Sequence, residues 1–183
     1  MIENHEVIKL RNSWLRPLRI TDSPELFKVF SDPETMRYWS HSPHQSEEQT
    51  REMIETKHLE SKAKVSKYTW AITLPNETDV CVGWLSHFNI NNRMIEIGYI
   101  LRRDLWGQKI ISEVLRHMVP DTFKRFNLHR IEALLNPENI GSLRVLEKNG
   151  FQKEGHLREN FYRNGIYEDT IVMGILRKVL DVQ

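Results

Sequence analysis

Between Tyr68 and Leu101 the chain carries three apolar runs, Tyr68–Leu74, Val80–Ile90 and Met94–Leu101, separated by two clusters of turn-forming residues. The first cluster is Pro75-Asn76-Glu77-Thr78-Asp79 and the second Asn91-Asn92-Arg93. Strand-like runs joined by such short turns pair as antiparallel neighbours, so this stretch predicts a three-stranded meander. The period then changes. From Gly107 to about Phe126, Ile110, Ile111, Val114, Leu115, Met118 and Phe123 recur at helical spacing. Pro120 inside that pattern predicts a kink or the end of regular helix, because its ring clashes with the carbonyl four residues back. Arg130–Leu135 reads as a strand, and Ile140–Lys148 as a short helix closed by Asn149-Gly150. Phe151–Tyr162 and Tyr167–Leu176 form a hairpin through Arg163-Asn164-Gly165-Ile166, where Asn-Gly favours a type I′ turn.

The first part of the chain adds a strand from Trp14 to Ile20 and two helices. Ser23 as cap, Pro24 in the first turn and the stripe Leu26, Phe27, Phe30 mark one helix, which Ser31-Asp32-Pro33 stops. Ser46, with Gln49 as its capping-box partner, opens a second helix that runs to about Lys62. The order β-α-α-β-β-β-α-β-α-β-β implies an α/β (α+β) fold, a mixed, mostly antiparallel sheet with helices on its faces. No internal repeat, low-complexity segment or Gly/Ser-rich linker divides the chain, so residues 1–183 are expected to form a single domain.

Composition narrows the function classes. Lys plus Arg is 26 and Asp plus Glu is 25, giving a net charge of +1, without the basic excess of a nucleic-acid binder. A single cysteine excludes a disulfide framework or a thiolate-rich metal site within one chain. The histidines show no metal-ligand spacing, so no metal is expected. No apolar run is long enough to span a membrane, and MIENHEVIKL does not read as a secretory signal. A cytoplasmic protein is the expectation.

The chemistry is best placed where Leu101-Arg102-Arg103-Asp104-Leu105-Trp106-Gly107 passes from strand to helix. The first N–H groups of a helix lack internal partners and carry the positive end of its dipole, which suits a phosphate or pyrophosphate. Neither G-x-G-x-x-G nor G-x-x-x-x-G-K-[ST] is present, so Rossmann and P-loop readings have little support. A second helix start, Asn139-Ile140-Gly141-Ser142, follows a strand later and leads to Glu147-Lys148-Asn149-Gly150-Phe151.

These segments resemble a Gcn5-related N-acetyltransferase (GNAT), and within that superfamily are similar to the branch that acetylates N-terminal amines of ribosomal proteins. The resemblance runs through Leu15-Arg16-Pro17-Leu18 with Asp22, Asp32-Pro33 with Arg37-Tyr38-Trp39, Glu96-Ile97-Gly98-Tyr99, and Trp106-Gly107 with Glu113. It continues through Glu154-Gly155-His156-Leu157-Arg158, Asn164-Gly165 and Asp169. It implies acetyl coenzyme A in a V-shaped splay between two parallel strands. The pantetheine would pair with backbone at Ile100 and Leu101. The pyrophosphate would lie on the N–H groups of Gly107, Gln108, Lys109, Ile110, Ile111 and Ser112, with Trp106 also among the cofactor-binding residues and Asn139 and Ser142 reaching the pantetheine and the thiol end. The family loop usually has a small residue where this chain has Lys109. If that position needs positive φ, lysine strains it by about 1–2 kcal/mol.

Acyl transfer to an amine needs a neutral nucleophile, a polarised carbonyl and a proton for the leaving thiolate. Glu96 is the candidate base, lying on one strand face with Gly98 and Ile100 and matching the position the resemblance gives to a base. His87 is a second candidate on the neighbouring strand, and Tyr38 and Trp39 are placed on the acceptor side. The slot the resemblance gives to a tyrosine acid holds Leu146, which moves assistance of the thiolate to Ser142. Cys81 lies in an apolar run with no base beside it, which argues against a covalent acyl-enzyme.

An α-amino group near pKa 7.8 is roughly a tenth neutral at pH 7, whereas a lysine amine is neutral less than about one part in a thousand. A protein N-terminus, of the ribosomal-protein kind, is therefore the favoured acceptor in a ternary complex. A polyamine or aminoglycoside is the alternative, and a coenzyme A sensor without turnover is the alternative from another class.

Overall fold

The computed structural model describes residues 7–59 and 68–179. Eight strands hydrogen-bond into a mixed sheet in the order Ile8–Lys9, Trp14–Pro17, Tyr68–Thr73, Gly83–Asn91, Met94–Leu101, Arg130–Leu135, Ile166–Leu176, Gln152–Arg163, accompanied by four α-helices among the described residues. The chain divides into two compact units: one gathers the residues up to His87 with Tyr99–Ile110, the other Phe88–Gly98 with Ile111 onward.

In the first unit, β1 (Ile8–Lys9) pairs antiparallel with β2 (Trp14–Pro17), which pairs with β3 (Tyr68–Thr73). β3 in turn pairs with β4 (Gly83–Asn91), Trp70 opposite Leu85. The two-residue β1 has no counterpart in the sequence reading, and β2 stops at Pro17 rather than Ile20. The cause is local: Ile20–Asp22 tightens into a 3-10 turn. β4 likewise begins at Gly83, not Val80, because Val80 N–H closes a turn on the Glu77 carbonyl at 3.0 Å. The apolarity of Cys81 and Val82 reflects their complete burial rather than strand pairing alone.

Helix α1 (Ser23–Phe30) carries Pro24 in its first turn, but its N-cap is Asp22, not Ser23. The Asp22 carboxylate is committed elsewhere, accepting from the buried Arg16 guanidinium at 2.6 and 2.9 Å and from Arg19 N–H at 2.8 Å. Ser23 instead donates its hydroxyl to Glu47 of α2 (Glu47–Met53) at 3.2 Å. Ser46 does cap α2, accepting from Gln49 N–H, while the Gln49 side chain reaches back to Gln45 N–H, one residue short of a closed capping box. After Met53 the helix widens into a π-helical turn, Ile54–Leu59, and the expected end near Lys62 lies outside the described residues. Leu26, Val29, Phe30, Met53, Ile54 and Trp84 bury the apolar faces of these elements in one core.

The strand β5 (Met94–Leu101), which begins in the second unit and ends in the first, follows β4 through Asn92 and Arg93, both at positive φ (48° and 59°), as a type I′ turn requires. Arg93 is held there by donating its Nε to the Asn127 carbonyl at 2.9 Å. Helix α3 (Ile110–Arg125) then leads to β6 (Arg130–Leu135), parallel to β5, as a strand-helix-strand crossover demands. Helix α3 begins three residues after the expected Gly107. It also continues through Pro120, whose position is exposed, to Arg125 rather than ending there.

Helix α4 (Ile140–Lys148) closes on Gly150 at φ 86°. Gly150 N–H donates to the Glu147 carbonyl and Phe151 N–H to Leu146, the paired bonds of a Schellman cap. β7 (Gln152–Arg163) and β8 (Ile166–Leu176) complete the hairpin, with Asn164 and Gly165 both at positive φ, and β8 pairs with β6.

Candidate active site

Glu96 stands at a defined point of the sheet. β5 and β6 share three register pairs, Met94↔Arg130, Ile95↔Ile131 and Glu96↔Glu132, after which β5 continues to Leu101. Glu96 and Glu132 are therefore the last shared pair, with both side chains on one face of strands that run about 5 Å apart. Glu96 is half-buried and accepts a hydrogen bond from Asn89 Nδ2 at 3.0 Å. Burial pushes its carboxyl above the usual range; the Asn89 bond pulls the other way, and the Glu132 charge adds to the rise. Asn89 adopts φ 51° in mid-strand, a left-handed conformation that asparagine tolerates better than most residues.

Glu132 is held by Arg130, whose Nη2 donates to it at 3.1 Å and to Glu154 of β7 at 2.5 Å. These partners were not singled out in the sequence. The signal was present in part: alternation in Arg130-Ile131-Glu132 puts both charges on one face, and a β5-α3-β6 crossover makes β6 a parallel neighbour of β5. The register that brings Glu132 beside Glu96 was not legible.

The turn between β5 and α3 is built from three pieces. Arg103–Leu105 forms a 3-10 turn, Trp106 turns back so that its indole N–H donates to the Leu101 carbonyl at 2.8 Å, and Gly107 reverses the chain at φ 76°. A side chain on Gly107 would meet nothing within 4 Å, so its backbone is open to close approach. Lys109, the residue before α3, sits at φ 64°, the left-handed conformation that a β-carbon opposes. Trp106, Gly107, Gln108 and Lys109 are exposed, while Ile110 and Ile111 are buried and anchor the helix start. The N–H groups at the start of α3 are the natural donors for an anion, although they begin at the end of the turn rather than at Gly107. Of the strand residues assigned to the pantetheine, Ile100 and Leu101 are both buried, and the Leu101 carbonyl accepts the Trp106 indole bond.

In the second unit Asn139 caps α4, its Oδ1 accepting from Ser142 N–H at 3.1 Å, which fixes Ser142 in the first turn. Ser112 of α3 accepts from Asn149 Nδ2 at 3.3 Å, tying the start of α3 to the end of α4.

The remaining candidates fall in the first unit. His87 is 1% exposed, opposite Tyr68 in the β3–β4 register, so it has no solvent-facing surface in this structure. Trp39 packs at the edge of the core, edge-on to Phe30 at 6.1 Å between centroids. Tyr38 lies under the Arg37 guanidinium at 5.4 Å. His41 and His44 stack on each other at 5.0 Å and on Phe30, so the segment after α1 is an aromatic shelf. Cys81 is buried, donates to the Gly83 carbonyl at 3.2 Å and has its thiol pushed up to about 12, chiefly by burial. A thiol so protonated is no nucleophile near neutral pH.

The acetyltransferase (GNAT) domain family matches residues 13–152. Among proteins of similar sequence, the probable N-acetyltransferase YjcK of Bacillus subtilis is 34% identical, covering 93% of this chain and 97% of its own. The spermidine N(1)-acetyltransferase of Vibrio cholerae is 26% identical, covering 89% of this chain and 92% of its own. A GNAT-family acetyltransferase from Bacillus anthracis superposes with a TM-score of 0.83 at 25% identity, over 94% of this chain and 99% of that one. RimL, a ribosomal L7/L12 alpha-N-protein acetyltransferase in complex with coenzyme A, superposes with a TM-score of 0.81 at 23% identity, over 93% and 98%.

Proposed function

The chain belongs to the GNAT acetyltransferase family and is an acetyl-CoA-dependent N-acetyltransferase, and from that premise we propose a protein N-terminal α-amine as its acceptor, deprotonated by Glu96. The observation that carries this reading is the position of Glu96: half-buried, at the last pair shared by β5 and β6, with its carboxyl raised by burial and by Glu132. A base is most effective when its pKa lies near the working pH, and a raised carboxyl moves in that direction. The α-amine suits such a base. It is neutral in roughly a tenth of molecules at pH 7, about 3.5 kcal/mol easier to deprotonate than a lysine-like amine. RimL, with its ribosomal substrate, supports the choice through likeness of fold.

The donor is assigned to the chain's own backbone. Ile100 and Leu101 offer main-chain groups to the pantetheine, and the turn from Gly107 to Ser112 offers N–H donors to the pyrophosphate. Asn139 orders the first turn of α4 so that the Ser142 hydroxyl can donate to the departing sulfur. The buried, protonated Cys81 fits direct attack by the amine rather than a covalent acyl-enzyme.

Acetylation of a small polyamine is the second reading. It is favoured by the spermidine-acetylating relative and by the presence of Glu132 beside Glu96, with Glu154 on the same arginine as Glu132, since a polycation needs clustered carboxylates. Against it, both of those carboxylates already have Arg130 as partner.

Thiol release from acetyl-CoA, measured with peptides bearing free Ala or Ser N-termini, with lysine peptides blocked at the N-terminus, and with spermidine, separates the readings. Preference for the free N-terminus by tenfold or more in kcat/KM is expected. Preference for spermidine would establish the second reading, and no release with any acceptor despite coenzyme binding would overturn both. Glu96→Gln is expected to lower kcat/KM by about 100- to 10,000-fold near neutral pH, the usual range for a lost general base. Full retention would remove Glu96 from that role.

A further inference from the structure

We propose that Arg130 is a positioning residue for the transfer: by clamping Glu132 and Glu154 together it sets how much negative charge Glu96 faces at the last shared pair of β5 and β6. The inference rests on the reading of Glu96 as base, and deepens it by identifying what tunes that base.

The geometry is built for the clamp. Arg130 and Glu132 alternate on one face of β6, and one guanidinium nitrogen bridges Glu132 at 3.1 Å and Glu154 at 2.5 Å. Arg130 and Glu132 are mostly covered, at 21% and 20% side-chain exposure, where charges are less screened than in open water, while Glu154 is exposed at the rim of the cluster. Opposite them on β8 is Gly174, register partner of both Glu132 and Gln152. A Cβ at Gly174 would land on the Glu154 carboxylate and within 2.6 Å of the Arg130 guanidinium. The pair therefore lies directly over a residue with no side chain, and β8 leaves room for it.

Among the described residues, the polar groups that act directly on Glu96 are Asn89 from β4, which is neutral and hydrogen-bonded to it, and Glu132 from β6. Arg130, and through it Glu154 from β7, reach Glu96 by way of Glu132. Two carboxylates against one guanidinium leave one net negative charge in the network beside Glu96. Removing Arg130 leaves two. Removing the Glu132 charge leaves none. The sign follows: more negative charge nearby favours the protonated form of Glu96, and less favours the carboxylate.

The two substitutions must therefore move Glu96 in opposite directions, which a general loss of stability cannot do. In the wild type, Arg130→Gln, Arg130→Lys and Glu132→Gln, the Glu96 side-chain carboxyl is titrated by 13C NMR in the full chain without ligand, with Glu96→Gln identifying its resonance. The acid limb of kcat/KM is measured in parallel with the best acceptor. Arg130→Gln is expected to move both upward by at least about half a pH unit and Glu132→Gln to move both downward by a similar amount. Arg130→Lys, which keeps the charge, is expected to move them less than Arg130→Gln. A Glu96 titration unchanged by Glu132→Gln overturns the proposal, whatever the activity, and does so even if the Arg130 variants fail to fold. A Glu96 titration that moves while the kcat/KM limb stays fixed overturns it differently, by showing that Glu96 is not the base.

Discussion

Lys109 shows what one residue can impose on a binding turn. It is exposed, so no packing demand selects its side chain, yet the turn holds it at φ 64°. For a residue with a β-carbon that conformation costs about 1–2 kcal/mol, and nothing but glycine avoids the cost routinely. Lys109→Gly is therefore expected to stabilise the protein by about 0.5–1 kcal/mol in denaturant unfolding. The relief of strain is partly offset by the greater freedom of glycine in the unfolded chain. Lys109→Ala, which removes the charge but keeps the β-carbon, is the control and should give no such gain. Equal stabilisation by both would mean that the ammonium, not the backbone, is the liability. The conditional strain was legible from the sequence, because the family usually has a small residue there. The φ that realises it was not, since a turn's dihedrals depend on how the strand before it and the helix after it are anchored.

At the scale of elements, legibility followed how local each determinant is. β5, β6 and α4 fall at the expected boundaries, and each is delimited by nearby chemistry: the Asn92-Arg93 turn, the end of the crossover, the Asn139 cap and the Gly150 stop. The misplaced ends are of two kinds: β2 and β4 are cut short by local turns that the side-chain pattern does not register, and the rest depend on tertiary partners. Asp22 takes the cap position expected of Ser23 while its carboxylate pairs with Arg16 of β2, and Val80 belongs to a turn although its side chain suits a strand. Helix α3 outlasts Pro120 because tertiary burial of Val114, Leu115, Met118, Val119 and Phe123 outweighs the loss of one hydrogen bond. The Glu96–Glu132 register belongs to this second class as well. Gly83 makes a comparable long-range demand. It begins β4 against the end of β5, where a Cβ would lie 2.9 Å from Leu101 Cα and closer still to the Ile100 carbonyl oxygen. Backbone cannot yield as a side-chain tip can, so Gly83→Ala is expected to cost about 1–3 kcal/mol. Because the displaced groups are those assigned to the pantetheine, it should also raise the KM for acetyl-CoA. A normal KM in the folded variant would argue that Ile100 and Leu101 do not hold the donor.

For the whole molecule, a balance of 26 basic against 25 acidic residues excludes charge as a general means of attracting an anionic donor. Affinity for the donor must then come from local groups, and the backbone N–H donors proposed for the pyrophosphate, at Gly107 to Ser112, contribute nothing to that count. Two consequences can be measured together. A ligand bound only by the folded state stabilises it by about 2.7 kcal/mol at a hundred times its Kd. For a chain of 183 residues each kcal/mol corresponds to about 2–4 °C in Tm, so coenzyme A at that excess should raise the melting temperature by about 5–10 °C. Hydrogen bonds from fixed backbone donors survive salt better than attraction between exposed charges, which is screened beyond about 3 Å at 1 M. More than half of the melting shift is therefore expected to persist in 1 M NaCl at the same coenzyme concentration, and to persist in Lys109→Gly as well. A shift abolished by salt and by Lys109→Gly alike would move the pyrophosphate from the backbone of the turn to the lysine ammonium. The net charge would then conceal a side-chain anion site rather than a main-chain one.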